Sequence, residues 1–231
     1  AALESVAAIR ESYPDCRVEI VGGDLTEVKV RDALFKCYDE SFAGQPLAAV
    51  VHNAGQYVGI TSENSEGLGA NQYIFGAGSE AYRDEGFAAM RYYQKLYGEA
   101  FIDLMERGLE RMTEEDPGTL IGISSPGCTV QYNANGGYDL PGSGKCIMEY
   151  SMRLFALRAA KKRCSVNVVI PGVTETEGWG KLAATRGADR DEMVKRISDR
   201  IVPMEKTMTP REFGDVIAFL CSKPGRCITG L

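Results

Sequence analysis

Tyr138 and Lys145 stand with six residues between them in "YDLPGSGK", and Ser125, in "IGISSPG", lies thirteen positions before the tyrosine. A phenol titrates near 10 when unperturbed, so it exchanges protons sluggishly at neutral pH unless a nearby cation stabilises phenolate. Lys145 can supply that cation. Ser125 can offer a hydrogen bond where negative charge develops on a substrate oxygen. General acid-base help of this kind contributes about 10²–10⁴-fold to a rate. The rival reading of the same residues is a polar, glycine-rich turn leading into a solvated helix, and Tyr132 is a second candidate donor.

Geometry decides whether the wide gap can work. In an unbroken helix, positions seven apart share a face to within about 20° but lie about 10 Å apart along the axis, against about 6 Å for positions four apart. Pro141 relieves the difficulty, because proline is favoured in the first turn of a helix and disfavours helical geometry in the residue before it. The expectation is an N-cap at Asp139, with Tyr138 in the loop just outside and its ring folding back toward Lys145.

Such groups need a scaffold. The runs "VEIVGG" from Val18, "LAAVVHNAG" from Leu47, "TLIGISS" from Thr119 and "SVNVVIPG" from Ser165 are β-branched and nearly continuous. They have the pattern of strands buried on both faces of a parallel sheet. Between them, apolar residues recur three or four apart: Tyr93, Leu96, Ala100, Phe101 and Leu104; then Ile147, Tyr150, Ser151, Leu154 and Arg158, only partly apolar; then Phe213, Val216, Ile217 and Leu220. Repeated strand and helix predict right-handed crossovers and a doubly wound α/β fold. Ligands of such folds bind at the carboxyl ends of the strands, where "HNAG", "SSPG" and "PGVTET" fall.

With 231 residues, 44% of them apolar, the chain reads as a single domain over 1–231. A net charge of −6 argues against nucleic acid or an anionic membrane surface as partner. No apolar run of about eighteen residues is present, so no membrane span is expected. Seven scattered cysteines suggest a reducing intracellular compartment, cytoplasmic or organellar, rather than a disulfide framework. His52 is the single histidine, which argues against a zinc site, and no metal is expected. The chain opens inside an apolar-faced helix (Leu3, Val6, Ile9) and stops at "RCITGL", where a strand would be starting. The expectation is a fold that lacks its first βαβ segment and last strand in this chain.

The order "GGDLTE", "VVHNAG", "IGISSPG", a tyrosine-lysine pair, "SVNVVIPGVTET" and "ITG" resembles the short-chain dehydrogenase/reductase superfamily, from about Val18 to Gly230. The resemblance implies a Rossmann-type sheet and NAD or NADP as cofactor. It places Asp24 and Leu25 near the adenine, and Asn53, Ala54 and Gly55 along the adenosine. Ser125 then bonds the substrate oxygen, Tyr138 donates the proton, and Lys145 holds the nicotinamide ribose while lowering the tyrosine pKa. Pro171, Gly172 and Thr176 contact the nicotinamide.

The commonest family pattern puts tyrosine four residues before lysine, and here Pro141 holds that place. The wider gap resembles the enoyl-thioester reductase branch, which reduces a carbon-carbon double bond and usually lacks the serine kept here. Where the family usually has an asparagine, "YYQKLYGEAF" offers Gln94 or Lys95, the latter as a relay or as a surface charge. The family's phosphate-binding glycine turn is expected before residue 1, and with it the strand that selects NAD or NADP. "YIFGAGSEA" from Tyr73 also fits the dinucleotide fingerprint. It lacks a preceding strand, and residues 58–87 read instead as an extended loop over the site or at a subunit contact. Asp24 has a second reading as the cap of the next helix.

Three functions follow. The first is an NAD(P)-dependent oxidoreductase acting on a carbonyl or hydroxyl of a small molecule, as a homodimer or homotetramer pairing through helices near Tyr93–Met112 and Lys145–Lys161. The second is an enoyl-type double-bond reductase. The third is a catalytically silent relative serving as a structural subunit of a larger complex.

Overall fold

The computed structural model describes residues 2–55, 86–129, 139–185 and 187–231. The chain divides into two compact units, Ala1–Gln45 and Pro46–Leu231.

The first unit carries helices α1 (Ala2–Ser12) and α2 (Val28–Ser41). Within it, Arg31 and Phe35 of α2 are buried, and the Arg31 guanidinium donates to the carbonyl of Leu25. The run beginning at Val18 is extended but lies in no ladder. A strand exists only where a neighbour's N–H and C=O groups are laid beside it, and the described residues of this unit provide none. Asp24 does not cap α2. Its Oδ1 accepts from the Thr26 N–H at 2.8 Å and its carbonyl from the Glu27 N–H at 3.0 Å, which closes a turn one step earlier, and Glu27 takes the cap position.

The second unit is built on three parallel strands, β1 (Ala49–His52), β2 (Thr119–Ile123) and β3 (Ser165–Val169), in the order β1-β2-β3. Register sets His52 beside Gly122, and Gly122 beside Val168. Thr119, Leu120 and Ile121 of the central strand are fully buried, as expected of a strand covered on both faces. Residues 228–231 run along the outer edge of β3: Gly230 N donates to Val166 O and Val168 N to Leu231 O, at 2.8 and 2.9 Å. The "CITGL" run therefore occupies a strand's place beside the sheet.

The crossover from β1 to β2 returns through α3 (Gly86–Tyr93), a π-helical segment (Gln94–Glu99) and α4 (Ala100–Glu110). The Ala100 N–H reaches back five residues to Lys95 O, and the wide turn lets Tyr93, Leu96, Tyr97, Ala100 and Phe101 all face inward. Lys95 is exposed and Gln94 half-buried.

After β2 comes α5 (Asp139–Ala159). Asp139 is its first helical residue rather than the residue before it, so Pro141 still falls within the first turn. Two close approaches bring α5 against the end of α3 and against the π segment. A Cβ at Gly144 would stand 2.3 Å from the Tyr93 carbonyl oxygen, and one at Gly98 would stand 2.9 Å from Ile147 Cγ2. The buried face of α5 is Met148, Met152, Phe155, Ala156 and Ala159, whereas Tyr150, Leu154 and Leu157 are exposed. This is a different face from the Ile147–Tyr150–Leu154 stripe, because both rows are apolar and contact with the sheet selects between them. Helices α6 (Glu177–Thr185), α7 (Arg190–Ile201) and α8 (Pro210–Cys221) complete the unit. Helix α8 begins with a capping box between Thr209 and Glu212.

Candidate active site

The carboxyl ends of β1, β2 and β3 open on one edge of the sheet and deliver "NAG", "SSPG" and "IPGVTET" side by side. Asn53, Ala54 and Gly55 leave β1 exposed. Ser124 continues the ladder by donating its N–H to Val169 O at 2.9 Å. Ser125 follows, its Oγ buried and without a hydrogen-bond partner among the described residues. Pro171 is half-buried, Gly172 and Thr176 are exposed, and the segment is pinned by Val173 and Glu175 bonding to both sides of Met208 and by the Trp179 ring N–H donating to Thr174 O at 2.8 Å.

Lys145 comes in from α5 above this edge. Its ammonium donates to the carbonyl of Ile123 at 3.0 Å and lies 4.5 Å from the centre of the Tyr97 ring. Burial pushes its pKa down to about 8, against the opposing charges of Cys128 and Glu149. The π segment supplies Tyr97, and its wide turn aims the ring beneath Lys145.

Sequence reasoning missed three residues here. His52, at the end of β1, is 1% exposed and its Nε2 lies 2.9 Å from Leu96 O, so this nitrogen carries the proton and donates. Burial pushes its pKa down to about 4, with the Lys145 charge acting in the same direction, so the ring is neutral near pH 7. Tyr97 lay outside the apolar row read for its helix, because a π-helical turn brings it inward. Glu149 is 3% exposed, one helical turn beyond Lys145, and accepts from the hydroxyls of Ser124 and Thr129.

Ser125 and Lys145 are thus brought to the end of β2, and Asn53 to Gly55 and Pro171 to Thr176 to the flanking strand ends. Asp24 and Leu25 lie in the first unit. Tyr138 and Tyr132 fall outside the described residues, as do the fingerprint at Tyr73 and nearly all of the extended loop.

A family model described as enoyl-(acyl carrier protein) reductase matches residues 83–231. Among curated proteins, the chain is 33% identical over 93 residues to the NADH-dependent enoyl-[acyl-carrier-protein] reductase FabI of Bacillus subtilis (strain 168), covering 40% of this chain and 34% of that protein. It is 30% identical over 90 residues to versicolorin reductase 1 of Dothistroma septosporum, covering 37% and 34%. The matches thus span about a third of the length of these relatives. Among solved structures, L-sorbose reductase of Gluconobacter frateurii in complex with NADPH and L-sorbose aligns with a TM-score of 0.78 at 23% identity, over 99% of this chain and 78% of that one. Levodione reductase aligns with a TM-score of 0.78 at 16% identity, over 99% and 80%. These structural likenesses establish the doubly wound, Rossmann-type α/β fold.

Proposed function

The chain belongs to the short-chain dehydrogenase/reductase superfamily, in the family described as enoyl-(acyl carrier protein) reductase, and we propose that it is an oxidoreductase that uses NADH or NADPH on a carbonyl or hydroxyl of a small molecule. The observation that carries this reading is the Ser125 hydroxyl, buried at the end of the central strand with no partner among the described residues. A buried hydroxyl left unbonded costs about 1–3 kcal/mol, and an oxygen arriving at the strand end recovers that cost.

The residues at this edge fit a nicotinamide cofactor. Asn53, Ala54 and Gly55 form a low, exposed strip, and Gly55 lies so close to the Tyr97 hydroxyl that its missing Cβ would stand 3.3 Å away. Pro171, Gly172 and Thr176 would line the nicotinamide end, and Lys145 would hold the ribose. When bound, the cofactor supplies the hydride. Ser125 then orients and polarises the substrate oxygen, and Tyr138 delivers the proton. Lys145, held on Ile123 O, stabilises the phenolate left behind.

A second reading, reduction of an activated carbon-carbon double bond, is favoured by the family description and by the six residues between Tyr138 and Lys145. Fluorescence titration or calorimetry with NADH and NADPH tests the common ground. No binding of either would sink both readings and leave the silent structural subunit. Product analysis with a cyclic diketone and with an unsaturated acyl thioester separates C=O from C=C reduction.

Pairing into a homodimer or homotetramer belongs to the proposal. It is supported by the exposed row of Tyr150, Leu154 and Leu157 on α5. A reducing intracellular compartment is supported by seven free cysteines. No helix among the described residues is long and apolar enough to cross a membrane.

A further inference from the structure

We propose that Glu149 is a positioning residue whose carboxylate clamps the Ser124–Thr129 turn onto α5 and thereby sets where Ser125 stands. The link to Ser125 rests on the reading of that serine as the polarising hydroxyl; the clamp itself does not.

Glu149 is 3% exposed in the middle of a helix, where a carboxylate is costly unless its oxygens are bonded. Both are. Ser124 Oγ donates to Oε1 and Thr129 Oγ1 to Oε2, so one side chain holds the two ends of a six-residue turn. Inside that turn lie Ser125, Pro126, Gly127 and Cys128, which form no ladder and no regular helix. Ser124 is also tied to β3 through its backbone, but Thr129 at the far end is exposed. Among the described residues, that end of the turn is tied to α5 by this carboxylate and by a side-chain contact between Cys128 and the exposed Cys146, and only the carboxylate reaches Thr129. Because it sits one turn from Lys145, it also fixes the turn relative to the cation. Among the described residues, the charged and titratable groups beside it are Lys145, Cys146 and Arg153 on its own helix, the last donating to its main-chain carbonyl, and Cys128 on the turn, and His52 faces Lys145 from β1.

A Glu149→Gln side chain can still accept from one hydroxyl and donate to the other, because hydroxyls rotate to suit. Glu149→Ala can do neither. The test compares both variants of the full chain by two readouts. The first is the alkylation rate of Cys128, which is buried within the turn, measured by mass spectrometry with the core Cys164 as internal control. The expected result is at least a tenfold rise at Cys128 in Glu149→Ala, with Cys164 unchanged and Glu149→Gln close to the parent. The second is NADH or NADPH oxidation with a cyclic diketone or an unsaturated acyl thioester. There Glu149→Ala lowers kcat by about 10²-fold, the scale of a misplacement near 1 Å, with KM for the cofactor little changed and Glu149→Gln restoring turnover.

Unchanged Cys128 labelling in Glu149→Ala overturns the clamp. Faster labelling with unchanged kcat overturns the positioning of Ser125. A parent protein without turnover overturns the enzymatic reading alone, and labelling still decides the clamp. If Glu149→Ala exposes Cys164 as well, Thr129→Val, which deletes one donor at an exposed site, takes its place with the same expected rise at Cys128, and no rise overturns the clamp.

Discussion

Lys145 donates its ammonium to the main-chain carbonyl of Ile123 at 3.0 Å, two residues before Ser125. The cation is therefore held by the strand end itself rather than by a carboxylate. Burial dominates, and the attraction of Cys128 and Glu149 offsets only part of it, so the lysine stays charged near neutrality by a small margin.

That margin is measurable. The folded pKa is near 8 against 10.5 for free lysine, so between these values the unfolded chain binds more protons than the folded one, and stability rises with pH across the window. Below pH 8 the full penalty is present, at most about 3 kcal/mol from the shift at 1.36 kcal/mol per unit. Lys145→Met is expected to flatten the pH dependence of the urea midpoint between pH 8 and 10. At pH 7 it should leave the protein as stable as the parent or more so, while turnover collapses. A midpoint that still climbs from pH 8 to 10 in the variant would assign the slope to other groups.

His52 works in the acid range. Its folded pKa near 4 lies below the free value of 6.5, so stability is fully present above 6.5 and falls as the pH drops from 6.5 toward 4. The loss amounts to about 3 kcal/mol over that window. Glutamine at this position keeps an N–H for Leu96 O but does not titrate. His52→Gln should unfold at nearly the same urea concentration at pH 4.5 and pH 6.5, where the parent loses ground. Equal losses in both would remove His52 as the cause.

How much of this was legible depended on whether a residue's role is local. The strands at Leu47, Thr119 and Ser165 were readable because short, near-continuous β-branched runs ending in glycine or polar residues are the pattern of parallel strands; β2 and β3 are buried as that pattern predicts, whereas β1 leaves Val51 exposed. The Val18 run has the same composition and no ladder, since pairing is a property of neighbours. On α5, Met148, Met152 and Phe155 form one apolar row and Tyr150, Leu154 and Leu157 another; which is buried is decided by the sheet. Ser125 and Lys145 were placed by family spacing, and both reach the end of β2. Glu149 was invisible because a glutamate in a helix ordinarily faces water, and its partners stand 20 and 25 residues earlier. Gly98 within the π segment gave no sign in a 3.6-residue period.

Gly144, the residue before Lys145, is where α5 meets Tyr93 backbone to backbone. A methyl there would stand 2.3 Å from a carbonyl oxygen that no rotamer change can move. Overpacking of this kind costs about 1–3 kcal/mol or more. Gly144→Ala should lower stability by at least about 2 kcal/mol in urea and displace Lys145 from Ile123 O. Gly172→Ala, at a site with open space around the added carbon, serves as control with little change. Equal stability of the two variants would show that the helices can separate at little cost.

Ser125 and Tyr138 separate the two chemistries. A carbonyl substrate places its oxygen on the serine hydroxyl as charge develops, so Ser125→Ala should cost about 10²-fold in kcat for ketone reduction. In reduction of an unsaturated thioester, charge develops instead on the thioester oxygen, and the proton goes to carbon. If Tyr138 stabilises that oxygen without help from the serine, Ser125→Ala loses less than about tenfold while Tyr138→Phe remains severe. Steady-state kinetics of both variants on a cyclic diketone and on an unsaturated acyl thioester decide between these patterns. A large loss at Ser125 confined to the ketone assigns the buried hydroxyl to carbonyl chemistry. Full turnover of Tyr138→Phe on both substrates would remove that tyrosine from the mechanism and return the proton to Tyr132.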